Sequence, residues 1–184
     1  YEIGVKQYLT NDVTLDATLF YKQESDYIQI RNVAAVPTGY ALYVNGDYGT
    51  SKGLSLSFKT RRLGNVQVDA NYTLSWAGGT RSNSSGLYRI AWQGGNNPSF
   101  ISPLDYDQRH TGNISVDYRT GARTQIPFMN NLGANMLFRF GSGMPYTPTK
   151  PYTAIFGAIS SHPIGGLNSA NMPWTYNMDL KLDK

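Results

Sequence analysis

Few side chains in this sequence stand at spacings that catalysis or metal binding uses. His110 and His162 are its two histidines, and neither has a carboxylate or imidazole three or four positions downstream, as metal-site motifs do. No metal ligand is therefore expected. Asp107, His110 and Ser115 could supply the acid, base and nucleophile of a hydrolase on paper. However, His110 and Ser115 are an odd number of positions apart, which puts them on opposite faces of a strand and lets them meet only through a bulge. The plainer reading is a histidine at a strand start, hydrogen-bonded to its neighbours. The pairs Gly78-Gly79, Gly94-Gly95 and Gly165-Gly166 match no phosphate-loop spacing and precede no helical pattern, so they read as loop joints. With no cysteine, thiol nucleophiles, thiolate metal sites and disulfides are excluded. The expectation is no enzyme, no catalytic residue and no cofactor.

Binding chemistry is better represented. Between positions 77 and 109, Tyr88, Trp92, Phe100 and Tyr106 are interspersed with Arg81, Arg89, Asn83, Asn96 and Asn97. Aromatic faces for stacking beside guanidinium and amide donors suit a polar ligand, and rigid scaffolds carry such groups on loops. The other reading is that these aromatics only pack the loop. The ligand-binding candidates are Arg81, Tyr88, Arg89, Trp92, Asn96, Phe100 and Tyr106. A second set, Asp16, Asp69, Asn71, Asp117, Arg139, Asn177 and Asp179, falls on the polar side of alternating segments.

Those segments are the dominant signal. Across 66–76, Val66, Val68, Ala70, Tyr72, Leu74 and Trp76 alternate without a break against polar residues, the period of a two-faced strand. Near the end, Trp174, Tyr176, Met178, Leu180 and Leu182 repeat the pattern. Weaker copies pass through Tyr1, Ile3 and Val5, through Leu15 to Tyr21, Leu54 to Phe58 and Ile114 to Tyr118, and from Leu132 to Phe140. Seven strands and no helix are expected. Connections at 10–13 and 61–65 are short, with a longer one at 120–131; long stretches rich in Gly, Ser, Asn and aromatics occupy 24–50, 77–109 and 141–173. One end of the sheet then has tight turns and the other long excursions. Phe20 and Leu137 fall on the polar side, which implies either apolar packing there or a local bulge.

The 184 residues make one domain or part of one. The net charge of +4 comes from scattered Lys and Arg, with Arg61-Arg62 the only basic pair, so a nucleic-acid surface is not expected. No stretch approaches the roughly 18 to 20 apolar residues of a spanning helix. The opening Tyr1-Glu2-Ile3-Gly4 lacks an initiator Met, a charged leader and an apolar run, and reads as mid-protein. Alternation alone fits either a sandwich, with its apolar faces packed together, or an outer-membrane barrel, with them turned to lipid. Strands of about ten residues, aromatics at strand ends (Tyr1, Tyr8, Tyr21, Tyr72, Trp76, Tyr118, Trp174) and alternating short and long connections favour the barrel.

Particular strings point the same way. Tyr1-Glu2-Ile3-Gly4-Val5-Lys6 followed by Leu15-Asp16-Ala17-Thr18-Leu19-Phe20-Tyr21-Lys22 resembles a strand pair of TonB-dependent outer-membrane receptors. Thr50-Ser51-Lys52-Gly53-Leu54-Ser55-Leu56-Ser57, Asp107-Gln108-Arg109-His110-Thr111 and Gly141-Ser142-Gly143-Met144-Pro145-Tyr146-Thr147-Pro148 resemble later segments, in family order. The last is similar to Oar-like members with a carboxypeptidase-regulatory-like N-terminal domain.

The resemblance implies an all-β, antiparallel up-and-down transmembrane barrel of about 22 strands occluded by a plug. Residues 1–184 would be about seven strands late in that C-terminal barrel domain, with the plug and TonB box outside this chain. It also implies transport of a substrate across the outer membrane of a Gram-negative bacterium. The implied partners are the protein's own plug and remaining strands, the TonB-ExbB-ExbD energy-coupling system, and outer-membrane lipid and lipopolysaccharide. The polar-face set would line the lumen and bind the plug more than the substrate. The competing reading is a soluble or surface-exposed β-sandwich acting as an adhesin or glycan-binding module; the two differ in whether the apolar stripes meet a packed interior or a bare exterior.

Overall fold

The computed structural model describes residues 1–80, 82, 100–121, 130–153 and 159–184. Their strands are β1 (Glu2–Thr10), β2 (Val13–Val33), β3 (Tyr40–Thr60), β4 (Val66–Gly79), β5 (Ser102–Pro103), β6 (His110–Arg119), β7 (Gly133–Gly141), β8 (Pro145–Tyr146), β9 (Thr149–Thr153), β10 (Ile159–Pro163), β11 (Ala170–Asn171) and β12 (Thr175–Asp183). Seven of them form one antiparallel sheet in the order β1-β2-β3-β4-β6-β7-β12, with β5 attached to β4. Each strand pairs with the next long strand in the chain, so the sheet is an up-and-down meander. The short pairs β9–β10 and β8–β11 lie within the connection from β7 to β12. All seven expected strands are present.

Turn chemistry holds one end together. Gly64 takes a φ of 60° between the bridged residues Leu63 and Val66, a left-handed backbone that glycine adopts without a Cβ clash. Arg61 N donates to Asp12 O at 2.7 Å and Arg119 N to Asn65 O at 2.8 Å, so neighbouring turns are laterally tied.

The expected excursion over 24–50 is a different structure. β2 and β3 are each 21 residues long and stay paired to Val33 and Tyr40, leaving only 34–39 as the connection. The Gly- and Asn-rich composition there mimics a loop, but ladder hydrogen bonds between two adjacent strands override propensity. Register shifts between Glu24, Tyr27 and Ile28, with Asp26 at a φ of 63°, mark a bulge that divides the ribbon in two.

Cross-strand register separates the two faces. Rows such as Leu15, Phe58, Ala70, Ile114, Phe138 and Met178, or Val13, Thr60, Val68, Val116, Met136 and Leu180, run across the apolar face. Among the described residues, every substantial contact between elements joins hydrogen-bonded neighbours and no second sheet covers this face. Ile3, Met178 and Leu180 stay 70%, 63% and 64% exposed. Among the described residues, the buried hydrophobics are only Ile30, Ala77 and Leu104. Among the described residues, the apolar stripe is thus left bare and is not the packed core of a sandwich.

Candidate functional site

The opposite face collects the polar set. Lys6, Asp16, Ser57, Asn71, Asn113, Arg139 and Asn177 form one cross-strand row; Thr14, Lys59, Asp69, Ser115, Leu137 and Asp179 form the next; Gln67, Asp117, Asn135 and Lys181 form a third. All seven of the expected polar-face residues therefore share one surface. Their charges are mostly satisfied laterally. Arg139 donates to Asp179, Arg62 reaches from its turn to Asp117, Arg119 Nε lies 3.3 Å from Asp117, and Lys6 Nζ lies 3.9 Å from Asp16. Gln67 Nε2 donates to Asp69 Oδ2 at 3.4 Å. Next to these rows is a band of small hydroxyls, in which Ser55 and Thr73 are hydrogen-bonded at 3.3 Å. The surface is an amide and hydroxyl lattice in which most charges have a partner of opposite sign.

Phe20 and Leu137 belong to this polar face with no bulge, since the register is continuous on both sides of each. Phe20 covers Gly53: a Cβ built there would lie 2.7 Å from the Phe20 ring. Tyr8, one of the strand-end aromatics, is also on the polar face, pairing with Thr14 and lying under the Lys6 ammonium. The shift at the end of β1, between Tyr8 and Thr10, is the irregularity the alternation could not reveal.

At the long-connection end, two of the strings singled out in the sequence meet. Asp107 is buried, and its Oδ1 accepts from Ala77 N at 2.7 Å; Arg109 Nε lies 3.5 Å from its other oxygen. Gln108 Nε2 donates to Ser142 O at 2.8 Å, and Ser142 Oγ accepts from His110 N at 3.0 Å. Asn168, buried at a φ of 54°, donates from Nδ2 to Pro103 O at 2.8 Å and to Asp105 Oδ1 at 2.7 Å, while its backbone N donates to Thr147 Oγ1. This clamp joins the β4–β6 connection to the β7–β12 connection. Gln108 and Ser142 were legible only as parts of family strings, Asp107 also as the acid of the triad, and the bonding role of none of them was. Asn168 carried no local signal, because its Asp105 and Pro103 partners are distant in sequence.

The clamp displays two of the expected ligand residues, Phe100 and Tyr106, which are 55% and 58% exposed. Arg81, Tyr88, Arg89, Trp92 and Asn96, together with Asn83 and Asn97, lie outside the described residues. The paper triad does not assemble. His110 is on the apolar face, accepting or donating at Nδ1 to Tyr72 Oη at 2.8 Å and stacked on Trp174, whereas Ser115 is in a polar-face row and Asp107 caps Ala77.

The family model described as TonB dependent receptor-like, beta-barrel matches residues 1–171. The chain belongs to this family. No curated protein and no solved structure matches it. TonB-dependent receptors are receptors and transporters of the outer membrane, not an enzyme family. Their implied partners are a plug domain and the TonB system.

Proposed function

We propose that this chain is a sector of the wall of a TonB-dependent transporter, with the polar face lining a plugged lumen and the clamped connections presenting ligand-recognition groups outside. The observation that carries the reading is the pairing of a bare apolar face with an opposite face that gathers Asp16, Asp69, Asn71, Asp117, Arg139, Asn177 and Asp179. Lipid solvates the first, and the second suits the hydrogen-bonding surface of a plug. Phe20 and Leu137 are apolar contact points for that plug. Phe100 and Tyr106 form the described part of a ligand surface that also draws on Arg81, Tyr88, Arg89, Trp92 and Asn96. In this reading the domain is the late part of the barrel, the plug and TonB box belong to the same protein, and TonB-ExbB-ExbD supplies the energy.

Residues 1–184 contain no cysteine, so a direct test needs only the removal of any cysteine elsewhere in the receptor. Single cysteines at Val68, Leu180, Asn71 and Asn177 of the full-length receptor in vesicles would carry an environment-sensitive fluorophore. Quenching by nitroxide lipids at the first two sites, with cross-linking to the plug at the last two, is the expected pattern. Quenching at the asparagines would invert the faces, and no quenching anywhere would return the chain to the sandwich reading.

A further inference from the structure

Asn45-Gly46 is the only Asn-Gly step in the sequence, and it stands within β3, not in a turn. Ile28 pairs with Asn45 and Tyr27 with Asp47, so Gly46 has no register partner and is the unmatched residue of β3 at the bulge that divides the ribbon. Asn45 and Gly46 are both exposed, and among the described residues the Asn45 amide makes no hydrogen bond. The Gln29 side chain lies against Gly46, where a Cβ would run into its amide, so the packing of the bulge favours glycine. With no Cβ on residue 46, nothing on that residue stands between its backbone nitrogen and the asparagine before it.

We propose that Asn45 is a site of spontaneous covalent modification, deamidation to aspartate and isoaspartate with Gly46 N as the nucleophile. Gly46 N gives up its proton and bonds to Asn45 Cγ; the Cγ–Nδ2 bond breaks, and ammonia leaves carrying that proton. Water then opens the resulting succinimide at one carbonyl or the other, giving an ordinary aspartate or an isoaspartyl link, and it is the only co-reactant. Gly46 N must come within roughly 3 to 3.5 Å of Cγ with the peptide turned to meet it. In an unbroken ladder that rotation disrupts pairs on both sides, whereas residue 46 has no facing residue to lose, and local opening costs least where the fewest contacts are broken. The isoaspartyl product places one additional carbon in the backbone of β3. It enters where a register shift already separates Asn45 from Asp47, so the pairing from Glu24 and Gly49 downward is kept, as is the hydrogen bond from Thr80 Oγ1 to Asp47 Oδ1 at 2.9 Å. Its effects fall on the outer ribbon, 28–33 with 40–45, which gains a carboxylate at its base. The chemistry needs no membrane and is independent of the transporter reading.

The test keeps the full-length receptor folded in mild detergent and mildly alkaline buffer, samples it over time, and reads its peptides by mass spectrometry with fragmentation that separates isoaspartate from aspartate. The Asn45 peptide should show the mass gain of amide-to-acid conversion, growing with time and mostly as isoaspartate. Asn65 and Asn131, exposed but followed by Val66 and Leu132, are references within the same molecule and should convert about tenfold more slowly, because a Cβ on the following residue hinders the approach. Gly46→Ala should slow conversion at Asn45 by a similar factor, and Asn45→Gln should show none. The comparison with Asn65 and Asn131 needs no variant to fold. No conversion of folded Asn45 over a period in which the urea-unfolded receptor converts completely, conversion no faster than at Asn65 and Asn131, or an unchanged rate in folded Gly46→Ala would each overturn the proposal.

Discussion

At the residue scale, the most consequential side chains are those that tie connections together. Asn168 combines a left-handed backbone with three hydrogen bonds, a combination asparagine tolerates far better than most residues. Asn168→Gly keeps the backbone conformation and loses the side-chain bonds, so it should cost about 1 to 3 kcal/mol locally. The expected result is faster proteolysis within 100–109 and 142–172 while the barrel keeps its heat-resistant gel mobility. Two glycines make a contrasting pair. A Cβ at Gly53 would lie 2.2 Å from the Leu74 carbonyl oxygen as well as against Phe20, whereas at Gly112 the closest atoms, at 2.4 Å and 2.7 Å, belong to the Phe140 ring. Gly112→Ala should therefore be partly rescued by Phe140→Leu, while Gly53→Ala should not be rescued by Phe20→Leu, because backbone cannot move aside as a ring can. Urea titration of the refolded full-length receptor would read both cycles.

At the element scale, the alternation in 66–76 and at the chain's end was sufficient to place β4 and β12, since a strand with one apolar and one polar face repeats with a period of two over its span. Residues 13–21 of β2 and 52–60 of β3 match the roughly 9 to 11 residues of a tilted crossing, ending at the Tyr21, Lys52 and Trp76 row. The remainder of this ribbon was not legible, because above that row neither face has to be apolar and the alternation disappears. That ribbon should stand clear of the membrane: a cysteine at Tyr43 should react with an impermeant maleimide on intact cells, and one at Asn65 only after permeabilisation. Within the span, Val68→Lys or Leu180→Lys should cost roughly 2 to 4 kcal/mol of membrane folding, measured by refolding into vesicles. Asn71→Lys should be tolerated in the same measurement.

At the scale of the whole molecule, β1 and β12 run in the same direction, because an odd number of strands separates an antiparallel sheet into like-directed edges. Closure into an all-antiparallel barrel of about 22 strands thus requires an odd number of further strands, about fifteen. Residues 1–184 expressed alone should fail to insert stably and stay heat-unmodified on gels, since each open edge exposes backbone groups that cost several kcal/mol apiece in lipid. The family, the strand set and the polar-face residues were all readable from sequence, because side-chain period and local strings are properties of consecutive residues. Tertiary structure alone decided that Phe20 covers Gly53, that 24–50 extends a ribbon, and that Asn168 clamps two connections. Each depends on which strand lies beside which and in what register. Such pairing between distant segments is set by the closure of the whole sheet, not by any one stretch of chain.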